Sequence, residues 1–246
     1  LYDSFVMNDN IQVEAAKIVE NFLRARSPTE RKKVVAERLN FVLSELKKIY
    51  HFNEFTIAEL AFEINEDTAD EAEAWFRAEL EPTFGQLEKI AQHTSVNPNW
   101  LLFGKQTPYD IQHIRLNEYL DQDIKLLVGS NPNNEYLSAS KVKEIKFIRE
   151  LSETGQLIIL KIYENYAVET FYPPYHISDV NGVGGYNSLL YFCFLTKVLL
   201  RYYTAKVNIT SHLLSKEQSK LILTGTVHPL TIVEKLHHIP WASDLS

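Results

Sequence analysis

The chain has 246 residues, of which 45% are hydrophobic, so it can bury one large core or two modest ones. Its formal net charge is −7, and residues 1–110 account for all of it, with 12 Lys and Arg against 19 Asp and Glu. This acidic half is the opposite of what generic nucleic-acid binding needs. No apolar run is long enough to span a membrane, and no signal peptide is recognisable. The only cysteine in the sequence, Cys193, is predicted to be a buried hydrophobic residue. We therefore expect a cytoplasmic protein with no membrane contact.

Two helices are predicted at the N-terminus. Apolar residues from Ile11 to Phe22 share one helical face, and the capping box of Ser27 to Glu30 begins a second, longer helix with proline at its first position. Basic residues cluster around this junction: Arg24, Arg26, Arg31, Lys32, Lys33 and Arg38. The cluster is either a solvated helix junction or a patch that contacts phosphates.

Four short helices are predicted between Glu54 and Gly104, because four helix starts are recognisable from their capping residues. Three of them fit the capping box, and the fourth has asparagine at the N-cap and proline at the first helical position. They are Thr56 with Glu59, Thr68 with Glu71, Thr83 with Gln86, and Asn97 with Pro98. We expect a compact bundle with Trp75, Ile90 and Trp100 in its core. A helix, a tight turn and a second helix are the elements of a helix-turn-helix motif, which binds DNA.

Five segments of this region follow one another in a recognisable order. They are Thr56, Leu60-Ala61, Trp75 to Thr83, Leu87 to Ala91 and Trp100 to Gly104. This order resembles the helix-turn-helix domain of the phage-repressor-like (XRE) family of bacterial transcription regulators, over about residues 35–104. The resemblance implies a sequence-specific, dimeric DNA-binding regulator. It implies DNA contacts from Thr68, Ala69, Glu73 and Arg77, with Arg31, Lys32 and Lys33 available to neutralise phosphates.

The predicted recognition helix departs from the family in its charge. Asn65 stands where the family usually has glycine, and asparagine tolerates the left-handed conformation of the turn. The helix and its flanks carry acidic residues against the single Arg77: Glu66, Asp67, Asp70, Glu71, Glu73, Glu79 and Glu81. A helix in the major groove lies between two rows of phosphates, which repel such a face. An alternative therefore stays open, a protein-interaction regulator that uses an acidic helix-turn-helix scaffold without DNA binding.

The sequence predicts a helical domain over residues 1–110. A linker region over residues 111–134 and an α+β domain over residues 135–246 follow it. The second domain is assigned to dimerisation or ligand sensing. Its predicted elements are a helix over Ser140 to Leu151, strands over Leu157 to Tyr163 and Tyr166 to Tyr172, a buried helix over Asn187 to Tyr203 and a short strand at Val207 to Ile209. The predicted fold class is thus mainly α in two domains, an N-terminal helical bundle with the helix-turn-helix and a C-terminal α+β domain with a small sheet.

Few residues suggest chemistry. Gly182, Gly184 and Gly185 precede a predicted helix and form either a tight connection or an anion or small-ligand loop. Only Glu234 and His238 have helical metal-ligand spacing, so we predict no metal and no cofactor. No nucleophile–base arrangement is present, so we predict that the protein is not an enzyme. The expected partners are double-stranded DNA and a second copy of the chain, and a protein or small ligand is a further candidate.

Overall fold

The computed structural model describes residues 28–116, 119–132, 135–178 and 182–242. The fold is mixed α/β, with 48% helix, 15% strand and a five-stranded mixed sheet. The prediction of a mainly α fold is therefore wrong, because helices cover both faces of a sheet that is larger than expected. The predicted N-terminal helix over residues 11–22 and the Ser27 cap lie outside the described residues.

The N-terminal part is a bundle of helices. They are α1 (Pro28–Leu46), α2 (Ile57–Glu63), α3 (Ala69–Phe76), α4 (Phe84–Thr94) and α5 (Pro98–Phe103), with a 3-10 turn at Tyr50–Phe52. The four short helices predicted after Glu54 are confirmed. Trp75 and Ile90 are fully buried as expected, whereas Trp100 is half-buried and packs edge-on against Phe41 with ring centroids 5.3 Å apart.

Side-chain caps explain where most of these helices begin. Thr56 and Thr83 complete capping boxes with Glu59 and Gln86. The Asn97 side chain accepts hydrogen bonds from the backbone N–H groups of the first turn of α5. Thr68 is the exception, since it precedes α3 with an extended backbone but makes no side-chain cap hydrogen bond. The capping box predicted there is wrong.

The sheet has the strand order β1-β4-β3-β2-β5. The strands are β1 (Ile111–Gln112), β2 (Val142–Glu150), β3 (Leu157–Tyr163), β4 (Val168–Phe171) and β5 (Asn208–Leu214). The central β3 runs antiparallel to both β2 and β4, and the edge strands β1 and β5 run parallel to their neighbours β4 and β2. The predicted hairpin of β3 and β4 is confirmed.

The predicted helix over Ser140 to Leu151 is wrong, because this segment is β2, paired on both sides with β3 and β5. Val142, Ile145 and Ile148 recur every third residue, which fits a helix. A register shift between Val142 and Glu144 explains the first interval, since it places Val142 and Ile145 against the same core, whereas Ile148 packs in the core on the other face of the sheet. An irregularity of this kind inserts an extra residue and breaks the alternation that identifies strands.

Successive residues of β3 face two different cores. Ile158, Leu160 and Ile162 pack with the N-terminal bundle, whereas Leu157, Ile159 and Tyr163 pack with helices on the opposite face. This period of two is the expected behaviour of a strand that is buried on both sides. The bundle and one face of the sheet therefore share a continuous core.

The opposite face of the sheet is covered by α6 (Leu120–Val128) and α8 (Val183–Tyr202), and α8 confirms the long apolar helix predicted there. The remaining elements are α7 (Glu135–Ser138), α9 (Lys216–Leu223), α10 (Leu230–Val233) and a 3-10 turn at Pro240–Ala242. The division at residues 111–134 stays a prediction, and that range contains β1 and α6.

A buried histidine joins the C-terminal segment to α1. His228 is 1% exposed, its backbone N–H donates to a Glu45 carboxylate oxygen at 3.2 Å, and its Nδ1 accepts from the Leu230 N–H at 3.2 Å. Burial lowers the pKa of the His228 imidazole to about 3. The ring is therefore neutral in the folded protein.

Acid is expected to destabilise the fold through His228. The unfolded chain takes up a proton near pH 6.5, about the ordinary histidine value, and the folded chain does so only near pH 3. Between these values the free energy of unfolding falls as the pH is lowered, by up to about 1.4 kcal/mol per pH unit. Burial also lowers the pKa of His93 and of His212, so both side chains add to the loss of stability in acid.

Urea unfolding between pH 7 and pH 4 tests this expectation. His228→Gln should flatten the pH dependence by nearly one proton, even if it lowers stability at pH 7. The matched substitution at an exposed ring, His113→Gln, controls for the exchange of a histidine for a glutamine. An equal slope in the parent and in His228→Gln would contradict a neutral buried His228.

Candidate functional site

The helices α2 and α3 form a helix-turn-helix unit. α2 ends at Glu63 with Ile64 as its C-cap, and Asn65 then adopts a left-handed backbone with φ of 59°. Asparagine tolerates this conformation, so the turn is made without glycine, as predicted. Leu60 and Ala61 of α2 and Trp75 of α3 face the common core, which fixes the angle between the two helices.

The outer face of α3 is uncovered and acidic. Thr68, Asp70, Glu71 and Arg77 are exposed, whereas Ala69 and Glu73 are half-buried. Ala72, Trp75 and Phe76 occupy the inner face. The predicted contact residues Thr68, Ala69, Glu73 and Arg77 thus all lie on α3 or at its ends.

Arg77 caps the C-terminal end of α3 and is held by two carboxylates. Its guanidinium lies 3.0 Å from Glu73 and 3.2 Å from Glu79. Hydrogen bonds to Glu79 and then Glu73 raise the pKa of Arg77. The only basic residue of the predicted recognition helix is therefore partly neutralised in the free protein.

The predicted phosphate-contacting residues of α1 lie beside the same end of α3. Arg31 pairs with Glu81 at 2.6 Å, and the Lys32 Nζ donates to the Glu79 carbonyl at 3.0 Å. Lys33 is exposed, and among the described residues it has no ion pair. Eight residues of α3 span about 12 Å, so the contacts of Arg31 and Lys32 with the segment after α3 lie at the opposite end of the helix from Thr68.

The sequence did not reveal that Glu79 and Glu81 act as counterions. Both follow α3, and the chain reverses at Ala78, which adopts a left-handed backbone with φ of 59°. This turn brings Glu79 and Glu81 back toward α1. The acidic residues after Arg77 are visible in the sequence. Their pairing with α1 is not, because Arg31 lies 50 residues before its partner Glu81.

The predicted glycine loop is the beginning of α8. Gly182 is the N-cap with φ of −69°, and Gly184 and Gly185 lie in the first turn of the helix. Gly182 thus needs no positive φ, and whether the segment before it makes a tight connection stays a prediction. A site for an anion or small ligand stays a prediction, since residues 179–181 before the helix lie outside the described residues.

A buried polar network lies where β1, β3 and β4 meet. Glu169 pairs with Lys161 at 3.2 Å and also accepts hydrogen bonds from Asn131 at 2.6 Å, from Gln112 at 3.3 Å and from the Tyr163 hydroxyl. Lys161 also donates to the Leu126 carbonyl at 2.8 Å. Both carboxylate oxygens are engaged, so this network ties α6 and the sheet together rather than offering a free base.

A cavity of about 160 Å³ opens beside this network, between α4 and the β1–β4 edge. Asp110, Gln112, Asn131 and Glu169 contribute polar groups to its lining, and no lysine or arginine of the described ranges does. Burial raises the pKa of Asp110, while a 2.6 Å hydrogen bond from Asn97 opposes that shift. The cavity suits a small ligand that donates hydrogen bonds, and sequence reasoning missed it because its walls come from distant segments.

The described ranges contain no group of three or more His, Cys, Asp or Glu side chains placed to hold a metal ion. Among the same residues, no helix combines the length and apolarity needed to cross a membrane. Comparisons with protein-family models, curated proteins and solved structures found no match to this chain.

Proposed function

We propose that this protein is a cytoplasmic transcription regulator that binds duplex DNA through the α2–α3 unit. The observation that carries the proposal is an uncovered second helix after a tight left-handed turn, with Thr68 and Ala69 at its start. A second helix presented in this way is how helix-turn-helix proteins reach base edges. The Thr68 hydroxyl makes no cap hydrogen bond, so it is available to a base or phosphate.

DNA binding of this kind requires an exchange of ion pairs. Arg31 and Arg77 bond Glu81, Glu73 and Glu79 in the free protein. A phosphate that replaces these carboxylates must displace them from the guanidinium groups, which lowers affinity for any duplex. Only a site that supplies further contacts along α3 would offset that cost, so the carboxylates favour specific over random DNA.

The second candidate is a protein-interaction regulator that docks the acidic face of α3 on a basic protein surface. The observation that favours it is the exposed pair Asp70 and Glu71 on the outer face, in the absence of any unpaired cation on α3 itself. Complementary charge accelerates and orients such docking.

Removing two negative charges from α3 separates the candidates. Under the DNA proposal, Asp70→Asn/Glu73→Gln raises affinity for random duplex DNA several-fold at low salt, by about tenfold at most, because it removes repulsion and frees Arg77 from one carboxylate. Fluorescence anisotropy with a labelled random duplex, measured over a range of salt concentrations, gives the affinity and its salt slope.

The matched control is Glu153→Gln/Glu164→Gln, which changes the net charge equally at two exposed sites away from α3. An equal gain in both double variants would reflect net charge alone. If neither the parent nor the α3 variant binds any duplex at low salt, the DNA proposal fails. Loss of a basic protein partner in the α3 variant would then support the second candidate.

A further inference from the structure

A second cavity, of about 540 Å³, opens at the end of the sheet where β2 stops. Its walls are the turn between β2 and β3 and one side of α9. This volume lies within the range of about 300–1,000 Å³ that is usual for small-molecule sites. The space is called the α9 cavity below.

A buried carboxylate side chain forms part of the wall. Glu150 is the last residue of β2 and is only 6% exposed. Side chains two residues apart lie on the same face of a strand, so Glu150 points to the same side as Ile148, which packs in the core with the bundle. Leu214, the register partner of Glu150 on β5, and Leu223 of α9 pack in that core too. The Glu150 side chain is therefore directed from the sheet toward α9 and lines the cavity.

This carboxylate has no partner within the described ranges, neither a hydrogen bond nor an ion pair. The backbone of Glu150, by contrast, is held in place, since its N–H donates to the Gln156 carbonyl at 2.9 Å and its carbonyl accepts from the Ser152 N–H at 3.0 Å. Buried charges in proteins are normally paired, because an unpaired carboxylate loses its hydration without compensation. A partner that enters through the α9 cavity would supply that compensation.

Two lysines line the cavity on the side of α9. Lys216 and Lys220 lie one turn apart, and both are exposed. Neither lies within ion-pair distance of Glu150, and neither forms an ion pair with any other described residue. Glu153 also lines the cavity, but it is exposed. The α9 cavity thus has a buried negative group on β2, two cations on α9 and open space between them.

This arrangement of charge selects a class of ligand. A ligand that carries only a cation would satisfy Glu150 but would face the repulsion of two lysines. A ligand that carries only an anion would satisfy the lysines but would bring a like charge toward Glu150. A zwitterion matches both sides, because an ammonium group donates hydrogen bonds to a carboxylate, and a carboxylate group accepts them from lysine. Leu223 contributes an apolar surface to the same wall.

We infer that the α9 cavity binds a small zwitterion of the amino-acid type. Its ammonium group bonds the Glu150 carboxylate, and its carboxylate group lies against Lys216 and Lys220. The inference goes beyond the proposed function and does not depend on what α3 binds, so both of its tests are made without DNA.

Ligand binding to the full chain is the first test. Saturation-transfer difference NMR with each standard L-amino acid, at up to about 10 mM, identifies the one that binds best, and isothermal titration calorimetry gives its Kd. The N-acetyl derivative of that amino acid lacks the ammonium group, and its methyl ester lacks the carboxylate. Each derivative should bind at least about tenfold more weakly, because each loses one of the two charged contacts. The inference is overturned if no amino acid binds, or if either derivative binds as tightly as the amino acid itself.

Substitutions in the wall locate the site. Glu150→Gln keeps the shape of the side chain and should weaken binding at least about tenfold, and Lys216→Gln/Lys220→Gln should have a similar effect. The matched controls are Glu164→Gln and Lys235→Gln, which change the same kinds of charge at exposed positions outside the cavity wall and should leave the Kd unchanged. Far-UV circular dichroism checks that each variant is folded. A folded Glu150→Gln variant with the Kd of the parent overturns the inference, and if this variant does not fold, the two derivatives decide on the parent chain.

Discussion

Replacing Trp75 by alanine is expected to cost about 3–5 kcal/mol of unfolding free energy, the range for truncating a buried aromatic side chain. The ring is fully buried between α3 and the helices around it. The total free energy of unfolding of a typical domain is only about 5–15 kcal/mol, so a large part of the stability of the bundle depends on this residue. Urea unfolding followed by far-UV circular dichroism measures the loss without relying on tryptophan fluorescence.

Two other substitutions make the Trp75 result specific. The Trp75 Nε1–H is buried and has no hydrogen-bond partner among the described residues, so Trp75→Phe removes an unsatisfied donor and should cost much less than Trp75→Ala. Trp100→Ala should also cost less, because that ring is only half-buried. If Trp75→Ala lost no more free energy than Trp100→Ala, the assignment of Trp75 to the centre of the bundle would be wrong.

The helices of the bundle were predictable because their signals are local. Thr56 with Glu59 and Thr83 with Gln86 are three residues apart, and each pair closes its capping box. Asn65 lies within one turn of the helix that it ends. Each feature depends on a few neighbouring residues, so the sequence alone identifies it.

The sheet was only half predictable because its pairing is not local. β3 and β4 are joined by a short turn, and the hairpin was identified. β2, by contrast, pairs in parallel with β5 more than 60 residues later, and its irregular register hides the strand alternation. β1 has two residues, and only its partner β4 defines it as a strand. The fold class was therefore wrong in the part that depends on distant contacts.

The candidate site shows the same division. The acidic character of α3 was visible in the sequence, and so was the basic cluster of α1. That Arg31 pairs with Glu81 was not, since only the turn at Ala78 brings the two together. Individual charges are a property of the sequence, but their neutralisation is a property of the fold.

The second large effect is expected at the buried pair of Lys161 and Glu169, which are 1% and 7% exposed. Glu169→Gln keeps the shape but leaves the Lys161 ammonium buried without its carboxylate, and breaking a buried pair in this way costs about 3–5 kcal/mol. Lys161→Met should cost less, because Glu169 keeps its hydrogen bonds from Asn131, Gln112 and Tyr163. The double variant Lys161→Met/Glu169→Gln should recover much of the loss, since no buried charge remains.

The pH dependence of Glu169→Gln distinguishes a buried charge from simple loss of packing. Burial lowers the pKa of Lys161, and the Glu169 carboxylate opposes that shift, so its removal lowers the pKa further. The folded variant then releases its proton at a lower pH than the unfolded chain, which titrates near pH 10.4, about the ordinary lysine value. Above the folded pKa the unfolded state holds more protons, so the stability of Glu169→Gln should rise as the pH is raised toward 10.

Urea unfolding at pH 7 and pH 9.5 measures this, with Lys161→Met/Glu169→Gln as the control that lacks the ammonium and should show no such gain. A Glu169→Gln variant as stable as the parent, with no gain at pH 9.5, would show that Lys161 carries no buried charge in the fold.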